Sequence, residues 1–377
     1  MASSWDTTTI RVALTQPKPV TLCGPMPSRN TKSGPDWPNI SNDDISTWAD
    51  FRLETLNESY GQVLDLEIPV TELSKAGVSR PDALEVVEIT KPDEILYLIG
   101  LNDRVLQPTL GFAKRYLHLC DGVQLLHQVS APKKALIPMV KISNGSNQFS
   151  VDHCVALDEI QSPNLVIGFC RPSNKFQSRA VAENSKDLKE ERTLPLRQLA
   201  NLCRVAGTRY GYIMTEKDFV ACCFTKKSTE EKAQWWKVMM MPVPWTRQGA
   251  SQLTTDLALW WLSMLALSAR EHRVLTTEEN MVGIGEWEPI YLDEQRGWVR
   301  RHRYSGFEQP MDARAQAPSP RIPVPAAFVT DEVELGIDPA AFDMFGGRGD
   351  GGDATGSNPG NWNDNTFNFG VFRFGQK

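Results

Sequence analysis

Residues 257–267 read LALWWLSMLAL, eleven positions flanked by Asp256 and Arg270. A run this short cannot cross a bilayer core as a helix, which takes roughly 20 apolar residues. Its apolar side chains cover most of a helix circumference, so a helix over 251–275 must be enclosed on several sides. Such enclosure calls for layers of secondary structure packed around it. A chain of 377 residues, 41% hydrophobic and with 11 tryptophans, has the material for one large domain or two small ones.

The remaining pattern predicts what those layers are. Residues 1–44, rich in Pro, Ser, Thr and Asn, read as a loose lead-in. Trp48, Phe51, Leu53, Leu56 and Tyr60 recur near helical spacing and predict a helix within 45–66. The segment 91–120 predicts two short helices separated at Gln107-Pro108. Strands are expected within 134–143 and, after a turn, around 148–157. The stretch PNLVIGFCRPSNKF (163–176) places a buried strand over Leu165–Phe169, which exits into Cys170, Arg171 and Pro172 with Lys175 just beyond. The charged stretch 182–193 reads as a solvated loop or helix. Leu196, Leu199, Leu202, Cys203 and Val205 then predict a helix stopped by Gly207. YGYIMT and DFVACCF form a hairpin signal around Glu216-Lys217. Pro242 and Pro244 confine VMMMPVPW (238–245) to an edge strand or a loop. From about 310 onward, Pro/Ala and then Gly/Asn-rich sequence predicts a disordered tail. The class is therefore α/β (α+β), with one domain over 45–290 and a basic segment plus tail over 291–377.

The net charge is −6, which argues against binding nucleic acid or membrane with the whole surface; a local basic groove is compatible with it. Seven cysteines are scattered without a C-x-x-C pair, so neither a disulfide framework nor a zinc site is expected. The opening MASSWDTTTIRVALTQ lacks a basic and then apolar leader. The expected setting is intracellular, cytoplasm or nucleus, rather than secreted or membrane-bound. Sequences of the G-x-S-x-G, H-E-x-x-H and P-loop kinds do not occur. The histidines at 118, 127, 153, 272 and 302 show no ligand spacing, and His153 points to the opposite strand face from Asp152.

Three blocks carry a resemblance: VDHCVAL, then PNLVIGFCRPSNKF, then PLRQLANLCRVAGTRYGYIMTEKDFVACCF, followed by the Trp-rich helix. Together, over about 135–275, they resemble the PD-(D/E)XK nuclease superfamily, and within it a group of fungal proteins. The resemblance implies a restriction-endonuclease-like core, a central mixed sheet flanked by helices. In the family, an acid on one strand and an acid-x-lysine pair on the next hold Mg²⁺ and activate water against a phosphodiester. Carried over residue by residue, Asp152 takes the place of the aspartate, with Val151 where the family has proline. Gln198 resembles the glutamine of a Q-x-x-x-Y element, with Leu202 at the tyrosine position.

At the second acid the sequence departs from the family. Phe169, Cys170 and Arg171 stand where acid, any residue and lysine are expected. Phenylalanine cannot coordinate a cation, and arginine stays protonated, although it binds phosphate in a bidentate fashion. The expected catalytic set is thus Asp152, Arg171, Lys175 as a displaced lysine, and Gln198. A metal site would need Asp152 plus a carboxylate brought from elsewhere, such as Glu54, Glu58 or Glu159. The resulting expectation is a nuclease-like pseudoenzyme with an impaired Mg²⁺ site. It would bind nucleic acid through Arg171 and Lys175, with help from Arg300 and Arg301 in the interleaved run RGWVRRHRY (296–304). An active Mg²⁺-dependent nuclease using a displaced carboxylate is the enzymatic alternative. The other class is a protein-binding scaffold that uses the Trp-rich helix and the aromatic C-terminal end NTFNFGVFRFGQK.

Overall fold

The computed structural model describes residues 7–26, 33–34, 36–71, 86–130, 140–144, 147–159, 163–183, 190–227 and 235–311. The predicted tail from 312 onward lies outside the described residues. The chain divides into two units, Met1–Pro310 with Phe367–Lys377, and Met311–Thr366. The described strands and helices belong to the first.

The strands are β1 (Thr7–Thr9), β2 (Val20–Cys23), β3 (Ile45–Thr47), β4 (Glu67–Pro69), β5 (Val86–Ile89), β6 (Leu125–Val129), β7 (Val140–Asn144), β8 (Asn147–Val151), β9 (His153–Leu157), β10 (Asn164–Cys170), β11 (Tyr210–Met214), β12 (Asp218–Lys226), β13 (Trp236–Pro244), β14 (Trp287–Tyr291), β15 (Trp298–His302) and β16 (Glu308–Pro310). The helices are α1 (Ile10–Leu14), α2 (Leu53–Leu64), α3 (Leu96–Tyr116), α4 (Ser178–Glu183), α5 (Glu190–Ala206), α6 (Thr255–Ser268) and α7 (Arg270–Arg273).

Seven strands form a mixed central sheet in the order β3-β13-β12-β11-β10-β9-β6. β10 and β11 run parallel, as do β13 and β3, and the other neighbours are antiparallel. This is the mixed α/β architecture the sequence predicts. The parallel β10/β11 pair is joined through α5, the kind of helical crossover that parallel neighbours require. One core cluster combines α6, α3 and α2 with alternate sheet residues such as Val155, Val166, Tyr210 and Tyr212. The second combines α5 with residues of the opposite parity, such as Cys154, Ile167, Phe169 and Ile213. That division follows from the period-2 alternation of side chains along a strand.

The apolar helix is enclosed as its composition demands. Every residue from Leu257 to Leu267 is fully buried. Thr254 caps α6, accepting from Leu257 N–H at 3.2 Å while its hydroxyl donates to Leu14 O at 2.6 Å. That second bond corrects the expectation of a loose lead-in. Residues 7–23 supply β1, α1 and β2, with Ile10 and Leu14 fully buried. The half-buried Lys18 reaches Asp256 at 2.9 Å. Part of the wall around α6 is therefore drawn from the N-terminal segment.

Three further expectations are revised. Residues 45–47 form an edge strand, and the helix begins only at Leu53. α3 is one helix running through Pro108, not two. An interior proline removes a backbone donor and costs about 3 kcal/mol. Here Leu98, Ile99, Leu106, Leu110 and Ala113 form one buried face on both sides of it, so packing holds the helix together. β13 pairs along its whole length with β12, but with β3 only at Val238–Met240. Pro242 and Pro244 come after that point, where a missing N–H leaves no second ladder broken.

The ordered unit continues past 290 into a small sheet, β14-β15-β16. His302 and Tyr304 anchor it: His302 meets Ile284 O at 3.0 Å and Tyr304 donates to Val282 O at 2.8 Å. No helix among the described residues is long and apolar enough to cross a membrane.

Candidate functional site

Asp152 lies at the break between β8 and β9. Its N–H donates to Gly168 O at 3.1 Å, and its C=O accepts from Ser130 N–H at 2.8 Å. Its carboxylate Oδ2 accepts from Cys170 N–H at 2.7 Å. The last β9–β10 ladder pair is His153↔Gly168, so the carboxylate completes the hydrogen bonding of β10 just where the ladder ends. Burial raises the Asp152 carboxyl above its usual range, against the opposing pull of the Cys170 N–H and the Arg171 charge.

Phe169 and Arg171 are two residues apart and share a face, as alternation requires. Phe169 is 3% exposed and packs in the core beneath α5. The Arg171 guanidinium lies over its ring, 4.2 Å from the centroid. Nη1 donates to Cys170 O at 2.8 Å, and Nη2 donates to Gln198 Oε1 on α5. Burial lowers the Arg171 pKa, partly offset by Asp152. Asp152, Arg171 and Gln198 are therefore linked around the end of β10. What they form is a half-buried constellation with one carboxylate and a tethered cation.

The other predicted residues lie differently. Lys175 belongs to the turn after β10, where its N–H donates to Pro172 O at 2.9 Å. That turn is held from the β11–β12 hairpin, because Glu216 accepts from Ser173 N–H at 2.8 Å. Glu54 and Glu58 are exposed on α2, whose buried face joins the opposite core cluster from Phe169. Glu159 accepts from Arg273 Nη2. Arg300 and Arg301 stand on β15: Arg300 donates to Gln309 Oε1 at 2.6 Å and covers the Trp287 ring, and Arg301 donates to Glu308 Oε1 at 2.7 Å. A pair as exposed as Arg301–Glu308 is worth only about 0–1 kcal/mol.

A second polar cluster lies on the other face of the sheet. In the register, His153, Gly168 and Tyr212 face one another across β9, β10 and β11, and Val129 of β6 opposes His153. His127 is two residues before Val129 and so shares that face. Asp103 comes down from α3. His127 Nδ1–H donates to Asp103 Oδ1 at 2.8 Å, and His153 Nε2–H donates to the same oxygen at 3.0 Å. An ionised carboxylate can only accept, which fixes those two protons on the rings. His153 Nδ1 is then free to accept from the Tyr212 hydroxyl at 2.8 Å. Burial alone would raise the Asp103 carboxyl, but the His127 charge and the two ring hydrogen bonds outweigh it and hold it well below the usual range. The side chains of His127, Asp103 and His153 are 5%, 8% and 0% exposed.

This group is one that no ligand spacing in the sequence marks. The donors come from a helix and two strands, and they meet only in three dimensions. The donor atoms of Asp103, His127 and His153 all lie within 4.8 Å of one another, a group that could hold a metal ion. Their chemistry, two imidazoles and one carboxylate, differs from the carboxylate set expected for Mg²⁺.

Comparison with known proteins finds no family model that matches the chain and no significantly similar curated protein.

Proposed function

We propose that this chain carries a PD-(D/E)XK-like domain that has lost hydrolysis and binds nucleic-acid phosphate without cutting it. The observation that carries this reading is Phe169. It is buried in the core at the position where the second metal-binding carboxylate belongs, with Arg171 laid over its ring. Topology supports the restriction-endonuclease-like assignment: α3 precedes the antiparallel strands β6, β9 and β10, and α5 then leads to β11, parallel to β10. Asp152 stands at the entry to the second of these strands and Arg171 at the exit of the third, the placement the resemblance implies. A single carboxylate whose pKa is raised by burial is a poor Mg²⁺ ligand, because the ion needs charged oxygen donors. Arginine cannot act as a base but can bind phosphate.

The test is cleavage of single- and double-stranded DNA and RNA with Mg²⁺ or Mn²⁺. Wild type and Asp152→Ala are both expected to leave every substrate intact. Turnover abolished by Asp152→Ala would sink the proposal and require a displaced carboxylate. Binding is checked by fluorescence anisotropy on the same substrates across a salt series. Arg171→Leu is expected to weaken binding on all sequences and to lower the salt slope by about one. Equal slopes for the two proteins would remove Arg171 from the binding surface.

A second reading, a protein-binding scaffold, is favoured by β14–β15. Tyr291 and Trp298 are about half exposed there and meet edge-on at 5.5 Å. The neighbouring arginines are largely paired with acids, Arg296 and Arg301 with Glu308 and Arg303 with Glu286. Aromatic area with neutralised charge suits a protein partner better than a phosphate backbone.

A further inference from the structure

The polar cluster on the second face of the sheet shares no residue with the proposed phosphate site and can be tested independently of it. We propose that Asp103, His127 and His153 form a binding site for a divalent transition metal, with Zn²⁺ the first candidate. The geometry is already close to a coordination shell. Two imidazole nitrogens approach one carboxylate oxygen at 2.8 and 3.0 Å, and all three donor atoms lie within 4.8 Å of one another. Zn²⁺ bonds of about 2.0–2.2 Å to nitrogen and oxygen place neighbouring ligands only slightly farther apart than this. Binding would shift the proton of each neutral ring to its other nitrogen, His127 Nε2 and His153 Nδ1, where for His153 the Tyr212 oxygen becomes the acceptor. The ion would take the place of the two N–H bridges to Asp103.

The surroundings support the assignment. Tyr212 holds His153 through Nδ1, which leaves Nε2 directed at the carboxylate. A partner on the far ring nitrogen is how metal-binding histidines are oriented. Gly168 makes room for that partner, because a Cβ there would lie 2.4 Å from the Tyr212 hydroxyl oxygen. Two nitrogen donors and one oxygen suit Zn²⁺ and its first-row neighbours and disfavour Mg²⁺ and Ca²⁺, which prefer oxygen throughout. The fourth position falls to a water or to the second Asp103 oxygen. Since the donor side chains are at most 8% exposed, the ion is enclosed and its role is structural. It would tie α3 and the edge strand β6 to β9.

The test uses the full chain, unfolded in denaturant with EDTA and refolded with Zn²⁺ or Co²⁺, then freed of loose metal by gel filtration. The expected result is one ion per chain, intense visible d–d bands for the Co²⁺ form, and a higher thermal midpoint with Zn²⁺ than with EDTA. His127→Gln, at the edge of the cluster, is expected to fold by circular dichroism and to lose both the bound ion and the midpoint shift. Tyr212→Phe should keep the ion with an affinity about 10–100-fold lower. His118→Gln removes an exposed histidine paired with Asp121 and should change nothing, which separates the site from surface chelation. A refolded wild type with less than stoichiometric metal, or His127→Gln binding as wild type does, would overturn the proposal and leave a hydrogen-bond network only.

Discussion

In a urea titration at pH 7 with EDTA present, Asp103→Ala is expected to lower the unfolding free energy by about 3–5 kcal/mol. The loss arises because two donors are left stranded. His127 and His153 both donate to Asp103 Oδ1 inside the core. Removing the acceptor leaves two buried ring N–H groups unpaired, and each such group costs about 1–3 kcal/mol. Against a total stability of about 5–15 kcal/mol, that is a large fraction. Asp103→Asn should lose less, because the amide oxygen can still accept from one ring. The pH dependence comes from the depressed Asp103 pKa. Burial opposes ionisation, and the His127 charge with the ring hydrogen bonds more than offsets it. The folded pKa lies below the unfolded value of about 3.9. The stabilisation is therefore fully present above about pH 4 and is lost as pH falls towards the folded value. Acid titration of wild type should show this component, and Asp103→Ala should lack it. Equal urea midpoints for the two proteins at pH 7 would mean that the rings find other acceptors.

The elements legible in the sequence are those fixed by local chemistry. Gly207 ends α5 with a φ of +74°, a backbone position glycine adopts without strain. Glu216 and Lys217 stand in the turn between β11 and β12. The apolar circumference of α6 demands burial, and the helix is buried throughout. Where structure and expectation part, the cause is shared: packing outweighs a local rule. Pro108 ought to break a helix, yet the buried face of α3 carries on through it. The composition of residues 7–23 reads as loose, yet Ile10 and Leu14 fill space beside α6.

The candidate sites divide along the same line. Phe169 and Arg171 lie two residues apart at the end of β10, so alternation predicts their relation to each other, while Asp152 is set beside them by the resemblance. Gln198 is placed by the resemblance, and in the structure its Oε1 accepts from Arg171 Nη2. The Asp103 cluster is not legible in this way, although alternation does set His153 on the face opposite Asp152. Its partners depend on the β6–β9 register and on which turn of α3 crosses that face, and neither is written in any short stretch of sequence. The usable signal is weaker: a histidine within each of two apolar strands, LLHQV and HCVAL, and one acid on the buried face of α3. Polar groups in such positions need partners, and partners imply one another.

Gly168→Ala is expected to destabilise the fold by about 2–4 kcal/mol, read from urea midpoints, and to do so through Tyr212. A Cβ at 168 would lie 2.2 Å from Tyr212 Cζ and 2.4 Å from Cε1 and the hydroxyl oxygen. The ring cannot step aside freely, because it is fully buried and stacked on Phe219 at 4.6 Å. Displacing it would also break the 2.8 Å bond to His153, so overpacking and an unpaired hydroxyl add. A double-mutant cycle separates this from any backbone effect of adding a side chain to β10. Tyr212→Leu removes the ring, so Gly168→Ala should cost less in that background, with a coupling of about 1–3 kcal/mol. Tyr212→Phe keeps the ring and loses only the hydroxyl, so there the overpacking penalty should persist. The same cost in wild-type and Tyr212→Leu backgrounds would assign the glycine to strand geometry. A cost that vanishes with the ring would show that Gly168 is small so that Tyr212 can cross β10 and hold His153 against Asp103.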